Sequence, residues 1–211
     1  MRAILGGLST LAFAGCSLIG IRSGTEQPPY EVVDRTPGEV EIRRYGMRLA
    51  AETTVEASDA EAGRSAAFRI LAGYLFGANR SKSEIAMTAP VEVQTAAQKI
   101  AMTAPVETAP AGEGRFAMRF FLPAHLSLAT APEPTDPRVR LLTVPAETLA
   151  VRRYSGSRGA ERVAVEGAAL RAALEASAWR PTAEPISLFY DPPWTLPFVR
   201  RNEAAVSVVR R

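Results

Sequence analysis

Apolar and polar residues alternate from residue 30 to residue 56. YEVVDRTPGEVEIRRYG, residues 30–46, alternates on both sides of Thr36-Pro37-Gly38, which predicts a β-hairpin turning at those three residues. Residues 48–56 continue as a strand. The period then changes. Ser58-Asp59-Ala60-Glu61 has the spacing of a capping box with Ser58 as N-cap. Ala67, Ile70, Leu71, Tyr74 and Leu75 follow at helical spacing and predict an amphipathic helix ending near Gly77. The string IAMTAPVE then occurs twice, beginning at Ile85 and at Ile100. Such a repeat is too short for a solenoid, whose units run to about 20 to 50 residues. Within it Ile85, Met87, Ala89 and Val91 alternate with Ala86, Thr88 and Pro90, which is strand period. Two similar strands or strand-like arms are expected, joined by the polar linker around Gln94 to Gln98, with Pro90 and Pro105 at an edge, a bulge or a strand end. RFAMRFFLP follows as a strongly apolar strand.

The second half repeats this order of elements. LAVRRYSG at 149–156 matches VEIRRYG at 40–46. A helical stretch over 161–178 follows, with Val163, Gly167, Leu170 and Leu174 on one stripe, and Pro181 bars its continuation. PISLFYD and RRNEAAVSVV read as the closing strands. The expectation is two strand–helix–strand halves, joined into one curved antiparallel sheet carrying two helices, an α+β fold.

Composition narrows the function. The 211 residues, 47% hydrophobic and with 16 prolines and 15 glycines, suffice for one turn-rich domain. The net charge of +3 comes without a dense basic block, which argues against nucleic-acid binding. One histidine and one cysteine leave no clustered metal ligands and no nucleophile–base signature, so neither a catalytic residue nor a protein-bound metal is assigned.

The first residues stand apart. Arg2 precedes a short apolar run, Ala3 to Ala14, that closes on Ala14-Gly15-Cys16. The run is too short to span a bilayer and reads as an export signal. Cys16, the chain's single cysteine, sits where a bacterial lipoprotein signal places its lipid-modified thiol. The expected organisation is a signal over 1–16, a flexible tether over 17–29 and a single domain over 30–211. Ser17 after the cysteine points to lipid anchoring at the periplasmic face of the outer membrane.

YEVVDRTPGEVEIRRY, IAMTAPV, PRVRLLTVPAETLAVRRYSG and YDPPWTLPFVRRNEAAVSV, in that order, resemble the SOUL heme-binding family. The resemblance implies a distorted antiparallel β-barrel with two helices and pseudo-twofold symmetry, an architecture shared with gyrase-inhibitor-like effector-binding domains. It implies reversible, non-enzymatic binding of heme or another tetrapyrrole in a hydrophobic groove, with buffering or transport at the cell envelope. An effector- or lipid-binding module of the same fold, and an enzyme acting on heme, remain alternatives. Carried onto this chain, the groove takes Leu71, Tyr74, Leu75, Arg80, Lys82 and Met87, with Met102 on the second arm and Trp194, Leu196 and Phe198 from the C-terminal loop. Arg80 and Lys82 would pair with the two propionates. Leu196 departs from members that carry a basic residue there. His125, in FFLPAHLSL, is the candidate axial ligand, because imidazole is a common donor to heme iron. The apolar set equally fits a helix-on-sheet core, and Arg80 and Lys82 a solvated loop.

Overall fold

Among the described residues, every alternating segment but one forms a strand. The computed structural model describes residues 25–36, 38–95, 114–192 and 194–211. In chain order the elements are β1 (Tyr30–Thr36), β2 (Val40–Tyr45), β3 (Arg48–Glu56), α1 (Ala60–Leu75), β4 (Val91–Thr95), β5 (Arg115–Phe121), β6 (Arg140–Val144), β7 (Glu147–Tyr154), α2 (Ala160–Glu175), β8 (Trp179–Pro181), β9 (Ile186–Phe189) and β10 (Asn202–Arg210). β1 and β2 form the expected hairpin, running from Tyr30 opposite Tyr45 to Thr36 opposite Val40. Its turn needs the left-handed region at Gly38 (φ 79°), which residues with a side chain rarely adopt.

The strands make one antiparallel sheet in the order β1-β2-β7-β10-β9-β4-β5-β3-β6, with β8 added alongside β10. It curls into a half-barrel whose two edges, β1 and β6, do not pair among the described residues. Without β1 the path reads the same from both ends, exchanging β2 with β6, β7 with β3, β10 with β5 and β9 with β4. α1 packs on β3 and β5, and α2 on their counterparts β7 and β10. The duplication is therefore present, but the RRY strings do not mark equivalent strands. VEIRRY is β2 and LAVRRY is β7, and the two are direct neighbours, with Ile42 opposite Ala150. The strand equivalent to β7 is β3, which leads directly into its helix as β7 does.

Each helix covers one half of a single sheet face. On β5, Met118 and Phe120 point to α1 and join Leu71, Tyr74 and Leu75 in one buried cluster, while Phe121 points to the other face. Leu170 and Leu174 of α2 close a second cluster with Val40, Ile42, Ala204 and Val206. Gly63 lets α1 settle closely, because a Cβ there would lie 2.3 Å from the Phe116 ring. Asp59, not Ser58, caps α1. Its carboxylate accepts the Glu61 and Ala62 N–H groups, both at 2.9 Å, and Ser58 donates to it from outside. A carboxylate at the positive end of the helix outcompetes a neutral hydroxyl for the same N–H groups. α2 stops at Glu175, several residues before Pro181.

The exception is the first IAMTAPVE copy. Strand pairing begins only at Val91, and residues 83–90 lie outside any strand. Their hydrogen bonds run elsewhere: Ile85 N–H to the Leu75 carbonyl, Thr88 hydroxyl to the Phe121 carbonyl, and Ala89 N–H to Glu26 O. Pro90 has no N–H to offer a ladder, and the buried Thr88 spends its hydroxyl on the Phe121 carbonyl at the end of β5. The second copy lies outside the described residues, as do the signal and Cys16.

Candidate functional site

Between β9 and β10 the chain makes a proline-rich excursion over residues 191–200. The Asp191 carboxylate accepts the Arg201 N–H at 2.6 Å, and Arg200 Nε donates to the Thr195 carbonyl at 2.7 Å. Thr195 is fully buried, and a 3₁₀ turn over Pro197–Val199 closes the excursion. Gly156 N–H, just before α2, donates to the Pro197 carbonyl at 2.9 Å. This anchored loop holds three large apolar side chains in water: Trp194 is 61% exposed, Leu196 42% and Phe198 71%. Scattered exposed apolar residues are ordinary, whereas three on one pinned loop form a candidate contact surface.

Arg158 borders this wall. Its Nη2 donates to the Asp191 carbonyl at 2.7 Å, its Nε to the Asn202 side-chain oxygen at 3.1 Å, and its guanidinium stacks 5.0 Å from the Phe189 ring centre. Both acceptors are neutral. Among the described residues no carboxylate lies within ion-pair distance of it. Burial pulls its pKa down to about 10, with the neighbouring Arg200 charge adding to the fall and Asp191 opposing it. A half-buried guanidinium without a paired carboxylate, beside an apolar surface, favours an amphipathic anion.

The residues expected to line the groove fall into separate places. Leu71, Tyr74 and Leu75 are core, each at most 1% exposed. The stripe that marks α1 as amphipathic is spent on β3 and β5. The Tyr74 hydroxyl donates to the Pro132 carbonyl at 2.7 Å, and burial pushes its pKa up to about 12. Met87 is half-buried against the same cluster. Arg80 pairs with Glu133 at 2.9 Å, both exposed, and Lys82 is exposed in the following turn. Such a surface pair contributes little. Arg80 and Lys82 lie beyond the carboxyl end of α1. The wall adjoins the start of α2, where Arg158 feels the charge of Arg64 near the opposite end of α1. At ~1.5 Å rise per residue, Arg64 and the end of α1 are about 16 Å apart. The expected cations and Trp194, Leu196 and Phe198 therefore form two groups. His125 is exposed in the turn after β5, and Met102 lies outside the described residues.

The sheet face opposite the helices carries a cleft of about 280 Å³, lined by Glu92, Arg119, Leu142, Glu147, Glu184 and Ile186 among others. Ligand pockets usually reach roughly 300 to 1,000 Å³. Arg119 bridges Glu52 at 2.7 Å and Glu92 at 2.8 Å. Burial pushes the Glu92 carboxyl above the usual range; Arg119 pulls it back and the Glu147 charge pushes it further. With three carboxylates against one guanidinium on its lining, this cleft disfavours a dianion. The described residues contain no group of three His, Cys, Asp or Glu that could hold a metal ion, and no helix long and apolar enough to cross a membrane.

A family model described as SOUL heme-binding protein matches residues 25–207. Heme-binding protein 2 of Mus musculus is 33% identical over 81 residues, 35% of this chain and 40% of that protein. The chain thus matches well under half of that relative's length. Among solved structures, the EcmrR C-terminal domain superposes with a TM-score of 0.57 at 13% identity, over 82% of this chain and 98% of that one. An uncharacterized conserved protein from Listeria innocua gives 0.58 at 12%, over 81% and 92%. A protein described as a hydrolase, also from Listeria innocua, gives 0.53 at 9%, over 84% and 94%. At these identities the structural likeness is one of fold.

Proposed function

The chain belongs to the SOUL heme-binding family, and on that premise we propose that it holds heme or a related tetrapyrrole reversibly against Trp194, Leu196 and Phe198, without transforming it. The observation that carries this reading is the pinned apolar wall beside Arg158. A tetrapyrrole is flat and apolar on its faces and anionic at one edge. Trp194, Leu196 and Phe198 offer contact area for the faces, and Arg158 a charge for the edge. Bound heme would bring the redox and ligand-binding chemistry of its iron. An open wall excludes little water, which suits capture and release better than chemistry.

Hemin titration followed in the Soret band tests this reading. Trp194 and Phe198 are exposed, so W194A/F198A should fold normally and weaken hemin about ten- to hundredfold, ~1.4 to 2.8 kcal/mol. His125→Ala should leave affinity within about threefold, ~0.7 kcal/mol. Unchanged affinity in the double variant would remove the wall from the site. A wild-type chain that gives no Soret change would be an effector-binding member of the fold.

We also propose that the chain acts at the cell envelope, lipid-anchored through Cys16, in buffering or carrying its ligand. Labelled fatty acid should enter the wild-type protein and not Cys16→Ser. Recovery of unmodified full-length chain from the cytosol would contradict this location.

A further inference from the structure

The amino end of α2 is built unlike that of α1. Its N-cap is Gly159, which has no side chain to accept the first-turn N–H groups. This leaves the positive end of a 16-residue helix without a side-chain cap. One position stands out beside it. Tyr154, at the end of β7, is only 7% exposed, and its buried hydroxyl has no hydrogen-bond partner among the described residues. A buried O–H without an acceptor is costly and calls for a reason. Burial raises the Tyr154 pKa, and the charges of Arg158, Arg162 and Arg64 pull against that rise, so three guanidinium groups bear on this hydroxyl. Arg162 lies 5.8 Å from its ring centre and is already paired with Glu166 at 2.7 Å. Arg158 is bonded only to neutral acceptors. Arg64 has no carboxylate within ion-pair distance among the described residues, though the charges of Glu61 and Asp59 reach it.

We propose that Tyr154, Arg158, Arg64 and the first turn of α2 form an oxyanion site that takes the carboxylate of an amphipathic ligand lying on the wall. A carboxylate oxygen is the acceptor that the Tyr154 hydroxyl lacks. It would also pair with the Arg158 guanidinium and sit at the positive end of α2. Glu161 in the first turn, the Asp191 carboxylate, Asp59 and Glu61 beside Arg64, and Glu166 paired with Arg162 are the acidic groups that oppose it. The Gly156–Pro197 hydrogen bond ties this site to the apolar loop, so one ligand can reach both. When that ligand is heme, as the proposed function holds, its propionates enter here and not at Arg80 and Lys82.

Two probes separate the anion site from the heme reading. The first is the preference for hemin over its dimethyl ester, which keeps the macrocycle and loses both charges. The wild-type chain should prefer hemin by about tenfold or more. Tyr154→Phe keeps the ring and removes only the orphaned hydroxyl, and it should cut that preference about threefold with ester affinity unchanged. Arg158→Gln should remove most of it. The second probe is inorganic phosphate without hemin, read as saturable shifts of the Ala160 and Glu161 amide resonances that weaken at least threefold in Tyr154→Phe. If neither porphyrin binds while these shifts hold, the heme reading falls and the oxyanion site stands, with free phosphate as its ligand. A preference unmoved in both folded variants overturns the proposal, as does phosphate that leaves those amides unshifted or shifts them equally in Tyr154→Phe.

Discussion

Glu203→Ala should destabilise the protein by about 3 to 5 kcal/mol, the cost of leaving buried cations without their counter-charge. Glu203 sits on β10 at 0% exposure, on the sheet face opposite the helices. Its Oε2 accepts Arg43 Nη1 at 2.9 Å and the Tyr190 hydroxyl at 2.7 Å. Its Oε1 accepts Arg201 Nε at 2.9 Å and Nη2 at 2.7 Å. The network joins β2, from one half of the duplication, to β10 of the other. Arg43 is held more firmly charged than a free guanidinium: burial works against it, and the Glu203 charge and hydrogen bonds more than offset that. Alanine would strand Arg43 and Arg201 together. Arg43 keeps Glu41 at 2.8 Å as partial relief. Glu203→Gln, which retains hydrogen-bonding capacity, should cost less. Denaturant unfolding measures both, and a loss below about 1 kcal/mol for alanine would show that the network contributes no net binding of the two halves.

Leu71→Ala should cost about 2 to 5 kcal/mol, the range for emptying a packed leucine site. Leu71 is fully buried in the cluster that joins α1 to Phe120, Met118 and Phe189. The fraction that remains folded should bind hemin within about threefold of the wild type, ~0.7 kcal/mol. Unfolding curves and hemin titration on the same sample separate the two effects. A variant of unchanged stability with strongly weakened hemin binding would return Leu71 to the ligand surface.

That variant bears on what the sequence could tell. Helical period identifies the apolar face of α1 but not whether a sheet or a ligand meets it, and here β3 and β5 take the face whole. The strands at 30–36, 40–45 and 48–56 were legible because their alternation is regular and the turn chemistry agrees. At IAMTAPVE the alternation is just as regular, yet Pro90 and the side-chain bond of Thr88 divert the segment from the sheet. The matched RRY strings were a true sign of duplication attached to the wrong pair of strands, since β2 and β6 change sides between the halves. Trp194, Leu196 and Phe198 were named through the family resemblance, and the structure shows them exposed. Arg158 and the Tyr154 hydroxyl were not. Their significance depends on the loop at 191–200 folding back onto the start of α2, and no local pattern encodes that contact.

A tetrapyrrole held on the 191–200 loop would bring its iron near the start of α2. Paramagnetic broadening of backbone amide signals by ferric hemin, with diamagnetic gallium protoporphyrin as control, locates the iron directly. With that placement, the signals of Trp194, Leu196, Phe198, Gly156 and Ala160 should be lost selectively, while those of Arg80, Lys82 and Met87 persist. Broadening centred on Arg80, Lys82 and Met87, with the 191–200 loop unaffected, would contradict it.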